Sequence, residues 1–190
     1  LLAGGRTVHS RFGLGIDVNA ATSCAYGSRE CVLSQLLRRT DIILWDECTM
    51  SSKFVVDAVD RALRDILNEP ELPFGGKLIV FGGDFRQTLC VVENANRAMT
   101  VNQCILNSAT WDSAKKHKLT MNMRILLSRD RHNIELMQWW SDWLLAIGEG
   151  SNLVRDADVL ERVPCKDLVR IPTEVIAESK TPEQLINEIY

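Results

Sequence analysis

The chain lacks the features that mark several large classes of protein. No apolar run approaches the roughly 18 residues that a membrane-spanning helix needs, and no basic segment precedes a long apolar run as in a signal peptide. With only 5 prolines and 11 glycines among 190 residues, the sequence is neither collagen-like nor of low complexity. The 22 basic residues do not outnumber the 25 acidic ones, so the net charge of −3 does not indicate a module that grips nucleic acid by charge alone.

The cysteines also lack the spacing of a metal site. Cys24, Cys31, Cys48, Cys90, Cys104 and Cys165 form no C-x-x-C pair and show no zinc-ligand spacing with the three histidines. The sequence contains no N-x-S/T glycosylation acceptor. This pattern predicts reduced, mostly packed thiols of an intracellular protein.

Short apolar segments alternate with amphipathic ones, which is typical of an α/β domain with a mainly parallel sheet flanked by helices. The length fits one domain. Strands are predicted at residues 41–45, 77–81, 117–120 and 169–172, and a loop at 68–76. Helices are predicted at residues 30–39, from Ser51 or Ser52 to 67, at 107–116, at 130–147 and from Pro182 onward.

The same patterns predict which side chains are buried. The apolar runs of strands 41–45 and 77–81 predict a sheet that is covered on both faces. The helix after Ser52 has an apolar face consisting of Val55, Val56, Val59, Ala62, Leu63, Ile66 and Leu67. Its polar face consists of Asp57, Asp60, Arg61, Arg64 and Asp65. Helix 130–147 is predicted to bury Ile134, Met137, Trp140, Trp143, Leu144 and Ile147, and to stop at Gly148 or Gly150.

Polar residues follow the first two predicted strands at the point where each ends. Asp46-Glu47 comes directly after strand 41–45, and the segment 82–87, which ends in Gln87, follows strand 77–81. Ligands of open α/β sheets bind at the carboxyl ends of the strands, so these residues predict one shared site.

An apolar strand followed by Asp-Glu suits nucleotide hydrolysis, because the Asp can hold Mg²⁺ and the Glu can polarise the attacking water. Gln87 offers a neutral donor and acceptor for a γ-phosphate, and Arg124 offers a positive charge for the transferring phosphoryl group. Taken singly, each has an alternative interpretation. Asp46-Glu47 can be a solvated strand end, residues 82–84 a plain turn with Asp84 as a cap, and Arg124 a surface charge.

Four segments together resemble the Pif-type DNA helicases (named for petite integration frequency), and most closely their Helitron-type subgroup. The segments are GGRTVHSRF at 4–12, ILWDECTM at 43–50, FGGKLIVFGGDFRQ at 74–87 and LTMNMR at 119–124. The resemblance implies a RecA-like P-loop NTPase fold. It also implies ATP-driven 5′→3′ movement on single-stranded DNA, with unwinding of duplex DNA.

The resemblance also implies individual roles. Asp46 matches the Mg²⁺ ligand, Glu47 the residue that activates water, and Gln87 and Arg124 the residues that contact the γ-phosphate of ATP. A separate set matches the segment that contacts single-stranded DNA, namely Thr7, His9, Ser10 and Phe12. For two of these an alternative stays open, since Phe12 can belong to the core and His9 can tie down a loop.

One family motif is absent from the sequence. No G-x-x-x-x-G-K-[ST] occurs in the 190 residues, and Gly75-Gly76-Lys77 runs straight into a strand. We therefore expect residues 1–150 to be an N-terminally truncated first motor domain, and 151–190 a connection toward a second one. We expect the isolated chain to be inactive, because that loop supplies most of the hold on the phosphates. Cys90 stands where the family commonly has Pro, which predicts a looser turn after Gln87.

Two other functions compete with this interpretation. One is a non-catalytic, transposon-derived module that binds single-stranded DNA or a protein, and the other is an unrelated P-loop ATPase. The basic run 115–118 predicts a solvated face rather than a phosphate contact. The resemblance implies a role in DNA repair, recombination, telomere maintenance or transposition, in the nucleus or the mitochondrion. The oligomeric state is not predicted.

Overall fold

The computed structural model of the chain describes residues 4–25, 31–128, 133–154, 168–176 and 181–189. The chain divides into two compact units, Leu1–Lys118 and Leu119–Tyr190, earlier than the boundary expected near residue 150. Three positions used in the sequence predictions lie outside the described residues: Glu30 and Asp130, where helices were predicted to start, and Cys165.

The first unit contains two parallel strands and five α-helices within its described residues. They are, in chain order, α1 (Val8–Phe12), α2 (Val32–Arg39), β1 (Ile42–Trp45), α3 (Lys53–Leu67), β2 (Leu78–Phe81), α4 (Arg97–Gln103) and α5 (Ala109–Ser113). Strands β1 and β2 pair in parallel, in a register that runs from Ile42 opposite Leu78 to Trp45 opposite Phe81. The predicted parallel pairing of these two segments is confirmed.

Helix α3 forms the centre of the core, as its periodicity predicts. It follows Ser52, which has an extended backbone, and it ends at Asn68, whose left-handed backbone lets its N–H reach the Arg64 and Asp65 carbonyls. Six of the seven predicted core residues are buried, namely Val55, Val56, Val59, Ala62, Leu63 and Ile66, and Leu67 packs against them.

Asp60 was predicted on the solvent side of α3, but it is buried, with 7% of its surface exposed. Its carboxylate accepts hydrogen bonds from the Phe74 backbone N–H and from Arg64 Nε, the latter at 2.8 Å. The loop after α3 closes over the helix in the turn Pro73–Gly76, with Phe74 and Gly75 at positive φ. This turn places the buried Phe74 N–H against α3, and the Asp60 carboxylate supplies the hydrogen-bond acceptor that this N–H needs.

The sheet is covered on one face only, which corrects the prediction of two covered faces. Ile42, Leu44, Leu78 and Val80 are between 46% and 60% exposed. The alternate residues Ile43, Trp45, Ile79 and Phe81 belong to the core or pack against it. Side chains of a strand alternate between faces, and the core of this unit packs against one of them.

The third predicted strand does not form, since residues 117–120 have no regular structure and Leu119 is 95% exposed. The preceding helix is also shorter than predicted and covers only Ala109–Ser113. A cavity of about 1070 Å³ lies between the whole of β2 and residues 110–117. A strand needs a neighbour within about 4.8 Å, and the cavity separates this part of the chain from the β2 edge.

The second unit is helical within its described residues. It contains α6 (Met123–Leu126), α7 (Ile134–Glu149) and α8 (Pro182–Ile189), so the prediction of a helix opening at Pro182 is confirmed. The predicted strand 169–172 is reduced to a single bridge between Leu153 and Val169. No helix in the described ranges has both the length and the apolar character to cross a membrane.

Helix α7 continues through Gly148, which was predicted to stop it, and ends at Gly150, the second predicted stop; it buries none of its residues. Met137, Trp140, Trp143 and Ile147 are half-buried, whereas Ile134 and Leu144 are 40% and 47% exposed. The rings of Trp140 and Trp143 stack on each other at 4.8 Å between centroids. The predicted burial is therefore wrong in extent, because the two indoles shield one another while no described element covers the helix fully.

The five cysteines in the described part of the chain form no disulfide bond, and all but Cys31 are buried. Burial raises the pKa of Cys24 and of Cys48 to about 11 and also raises the pKa of Cys90. Cys31 is half-exposed at the start of α2, where its sulfur faces the Ser34 hydroxyl at 3.3 Å and accepts from the Ser34 N–H. These hydrogen bonds lower the pKa of Cys31.

We expect iodoacetamide at pH 8 to modify Cys31 well before Cys24 or Cys48, because the thiolate is the reactive form. A lowered pKa means that Cys31 reacts at a lower pH than a free thiol, whereas the raised pKa of the buried thiols keeps them protonated. Peptide mapping by mass spectrometry during a time course measures the order. Ser34→Ala should shift the pH profile of Cys31 upward, and faster labelling of Cys48 than of Cys31 would contradict the structure.

Candidate functional site

The two predicted strand ends lie side by side. Trp45 and Phe81 are the last pair of the parallel register, so Asp46 and Gly82 leave the sheet at the same edge. The Gly82 N–H donates to the Trp45 carbonyl at 2.9 Å, and the Cys48 N–H donates to the Gly82 carbonyl at 2.9 Å. The two loops are thus joined by backbone hydrogen bonds, as the prediction of one shared site requires.

Asp46 and Glu47 present their carboxylates to solvent at this edge. Asp46 Oδ1 accepts a hydrogen bond from the Glu47 N–H at 3.0 Å. Glu47 has a left-handed backbone (φ 51°, ψ 39°), and a 3₁₀ turn, Cys48–Met50, follows it. A left-handed backbone is uncommon for a residue with a Cβ, and such residues concentrate at functional sites.

Gly83 is required by a close approach between the loops. A Cβ at this position would lie 2.9 Å from Thr49 Cγ2 and 3.2 Å from the Thr49 backbone nitrogen. Glycine at this position therefore allows the two loops of the protein to pack closely against each other.

Gln87 is exposed at the end of a turn that begins at Asp84. Its N–H donates to the Asp84 carbonyl at 3.1 Å, and the Asp84 carboxylate accepts from the Arg86 N–H at 3.0 Å. Asp84 therefore caps this turn rather than a helix. Phe85, inside the turn, meets the ring of Trp111 edge-on at 5.5 Å. Asp46, Glu47 and Gln87 thus follow strand ends at one edge of the sheet.

Arg124 belongs to the second unit, in helix α6, and its side chain is exposed. Asn122 begins this helix, and its side-chain oxygen accepts from the N–H groups of Arg124 and Ile125 at 3.1 and 3.3 Å. The N-x-R spacing is therefore explained locally by a helix cap followed by an exposed guanidinium. The convergence of Arg124 with the other three residues stays a prediction.

The residues predicted to contact DNA lie on or beside α1. The Thr7 hydroxyl accepts from the Ser10 N–H at 3.2 Å and caps the helix, while Ser10 is exposed and His9 half-exposed. Phe12 is 3% exposed and belongs to the core. Its ring cannot face DNA in this position, so the alternative interpretation of Phe12 is correct. Thr7, His9 and Ser10 stay predicted contacts.

Lys77 does not substitute for the lysine of a phosphate-binding loop. Its Nζ donates to the backbone carbonyls of Arg38 at 2.8 Å and of Thr40 at 2.6 Å, at the end of α2. Gly75 and Gly76 have positive φ, and a Cβ at Gly75 would lie 2.7 Å from the Leu63 carbonyl oxygen. The G-G-K sequence serves the packing of this loop on α2 and α3.

The donor set at the site fits Mg²⁺ held jointly with a nucleotide. The described residues contain no group of three or more His, Cys, Asp or Glu that could cage a metal alone. An exposed Asp46 carboxylate is a hard oxygen ligand, and Mg²⁺ is commonly bound through one or two carboxylates, with the phosphates of its substrate and water as the other ligands.

Comparison with known proteins identifies the family. The model for PIF1-like helicases matches residues 1–158 of this chain. The chain belongs to the PIF1-like helicase family. The comparisons do not separate its subgroups, so the Helitron-like assignment stays a prediction.

The relatives of this family member are longer than the chain. The ATP-dependent DNA helicase Pif1 of Bdellovibrio bacteriovorus is 32% identical over 116 residues, which are 59% of this chain and 24% of that protein. The ATP-dependent DNA helicase PIF4 of Trypanosoma brucei brucei is 35% identical over 96 residues, 48% of this chain and 12% of that protein. The chain thus spans a quarter or less of these two curated relatives.

A solved structure shows the fold. Bacteroides Pif1 helicase in complex with ADP-AlF3 and single-stranded DNA superposes with a TM-score of 0.58 and 22% identity, over 84% of this chain and 35% of that one. The predicted RecA-like α/β fold is confirmed.

Sequence reasoning missed Thr49, which packs against Gly83 and is only 1% exposed. The available signal was its place in the segment D-E-C-T, directly after the acidic pair and before α3. No periodicity marks such a residue, because it lies in a turn between elements.

Proposed function

We propose that this chain is part of an ATP-dependent DNA helicase and supplies the hydrolytic edge of its first motor domain. The observation that carries the proposal is the backbone pairing of the Asp46-Glu47 loop with the Gly82-Gly83 loop at the ends of two parallel strands. Family membership supports the same function, and the complexes solved for Bacteroides Pif1 contain a nucleotide analogue and single-stranded DNA.

The residues divide the chemistry of hydrolysis among them. Asp46 would hold Mg²⁺, which would supply positive charge to offset that of the ATP phosphates. Glu47 accepts a hydrogen bond from the attacking water and orients it toward the γ-phosphorus. Gln87 contacts the γ-phosphate from the neighbouring loop, and Arg124 offsets the charge that develops during transfer.

Coupling to DNA uses a different surface of the same unit. Thr7, His9 and Ser10 contact the backbone of single-stranded DNA, in the sequence-tolerant way of a translocating enzyme. Movement is 5′→3′ and leads to unwinding of duplex DNA, in repair, recombination, telomere maintenance or transposition. The nucleus or the mitochondrion is the proposed location.

We expect the 190-residue chain alone to show no DNA-stimulated ATP hydrolysis, because its sequence holds no G-x-x-x-x-G-K-[ST] loop to grip the phosphates. A fusion that adds a G-x-x-x-x-G-K-[ST] segment and a second motor domain from a PIF1-like helicase should hydrolyse ATP, and single-stranded DNA should stimulate it. Phosphate release measured with and without DNA tests both expectations.

Hydrolysis by the unfused chain would contradict the first expectation. A folded fusion that binds single-stranded DNA without hydrolysing ATP would instead favour the non-catalytic binding module. A version of the fusion in which the added loop lysine is replaced by Ala is the control, since it removes the nucleotide grip and leaves this chain unchanged.

A further inference from the structure

One backbone carbonyl joins the two loops of the site. The Asp84 carbonyl accepts the Gln87 N–H at 3.1 Å, which closes the turn that carries Gln87. The same oxygen faces the Thr49 hydroxyl, which donates to it at 3.4 Å. The Thr49 hydroxyl therefore connects the Gln87 turn to the segment that follows the acidic pair.

Thr49 is itself held rigidly relative to Glu47. It lies in the 3₁₀ turn Cys48–Met50, where the Met50 N–H donates to the Glu47 carbonyl at 3.1 Å. The side chain is 1% exposed, and its methyl group lies so close to Gly83 that no Cβ fits there. A buried β-branched side chain has few rotamers, so the backbone of the turn that follows Glu47 largely determines where the hydroxyl lies.

We propose that Thr49 is a positioning residue that sets the Gln87 turn relative to Asp46 and Glu47; this inference rests on the proposed function of the site. The hydroxyl contact of 3.4 Å is longer than a typical O–H···O bond, so we expect it to contribute no more than one ordinary hydrogen bond. In this role Thr49 acts on Gln87 through the Asp84 carbonyl, which both of them contact.

Two variants separate the hydroxyl from the methyl of Thr49. Thr49→Val keeps the shape against Gly83 and removes the donor, whereas Thr49→Ser keeps the donor. In the fusion helicase we expect Thr49→Val to lower kcat by about fivefold, the size of one net hydrogen bond, with the KM for ATP changed less than about twofold. Thr49→Ser should retain most of kcat. Equal kcat values for Thr49→Val and the unsubstituted fusion would overturn the proposal.

A double-variant cycle identifies the residue through which Thr49 acts. If the hydroxyl acts through Gln87, Thr49→Val should have almost no further effect on kcat in a Gln87→Ala background. A full additional loss in that background would show that Thr49 acts elsewhere, for example on folding alone. Thermal melting of each variant separates loss of fold from loss of positioning.

Hydrogen exchange tests the geometry even if the fusion does not hydrolyse ATP. In the 190-residue chain, Thr49→Val should speed exchange of the Gln87 amide by about threefold or more, because its acceptor turn loses an anchor, and Thr49→Ser should not. If Thr49→Val speeds exchange in the 190-residue chain but the fusion does not hydrolyse ATP, the proposed function is wrong and the positioning role of Thr49 is supported. If Thr49→Val changes neither exchange of the Gln87 amide nor kcat, Thr49 does not position the Gln87 turn.

Discussion

Glu47→Gln in the fusion helicase is expected to lower ATP turnover by about a hundredfold or more, the range of general base catalysis, while nucleotide affinity stays within about threefold. The amide keeps the size and the left-handed backbone of Glu47 but cannot accept a proton from water. The proposed Mg²⁺ ligand, Asp46, is unchanged in this variant, so we expect the substrate to bind in its normal place. Steady-state hydrolysis and binding of a fluorescent ATP analogue measure the two quantities.

Two controls give this result its meaning. Glu69→Gln changes an exposed carboxylate to an amide outside the site and should leave turnover unchanged. Asp46→Asn should weaken Mg²⁺-dependent nucleotide binding as well as turnover, because it removes a hard anionic ligand. Full turnover in Glu47→Gln would remove Glu47 from the role of activating water.

Asp60→Ala is expected to lower the free energy of unfolding by about 3 kcal/mol, the upper range for leaving a buried donor unsatisfied. The substitution leaves the buried Phe74 N–H without its acceptor and removes the ion-pair partner of Arg64. The turn Pro73–Gly76 then loses its polar connection to α3. Urea denaturation followed by circular dichroism measures the change.

Glu71→Ala is the matched control for Asp60→Ala, since it deletes an exposed carboxylate from the loop that closes over the same helix. We expect its effect to be within about 0.5 kcal/mol, as for most surface substitutions. If Asp60→Ala lowers the free energy of unfolding by no more than Glu71→Ala does, the buried hydrogen bonds do not support the turn. Asp60→Asn should fall between the two, because its amide oxygen can still accept from Phe74.

The parts of the structure that were predictable are those with local signals. The core face of α3 follows a period of 3.6 residues, and the parallel strands are short apolar runs that end in polar residues, so Val59 and Asp46 were both placed correctly by pattern. The side-by-side arrangement of the Asp46 and Gly82 loops followed from the rule that ligand sites of parallel sheets lie at the carboxyl ends of strands.

The parts that failed depend on contacts between distant segments. The burial of Asp60 comes from a loop that closes back over α3, and polarity alone placed this residue in solvent. The structure also leaves Leu44 and Val80 exposed and forms no strand at 117–120. Both outcomes depend on which other segments cover the sheet, and the sequence of a strand does not contain that information. The sequence did not predict the burial of Thr49, because a residue in a turn belongs to no helical or strand periodicity.

The half-covered sheet has a practical consequence for work on this chain in the test tube. One face of the sheet exposes an apolar stripe to water, which consists of Ile42, Leu44, Leu78 and Val80. Such stripes bind chaperones, amphiphilic dyes and other copies of the same chain, and sulfate or phosphate salts strengthen that tendency. Purification at low protein concentration and without salting-out steps suits a molecule with this surface.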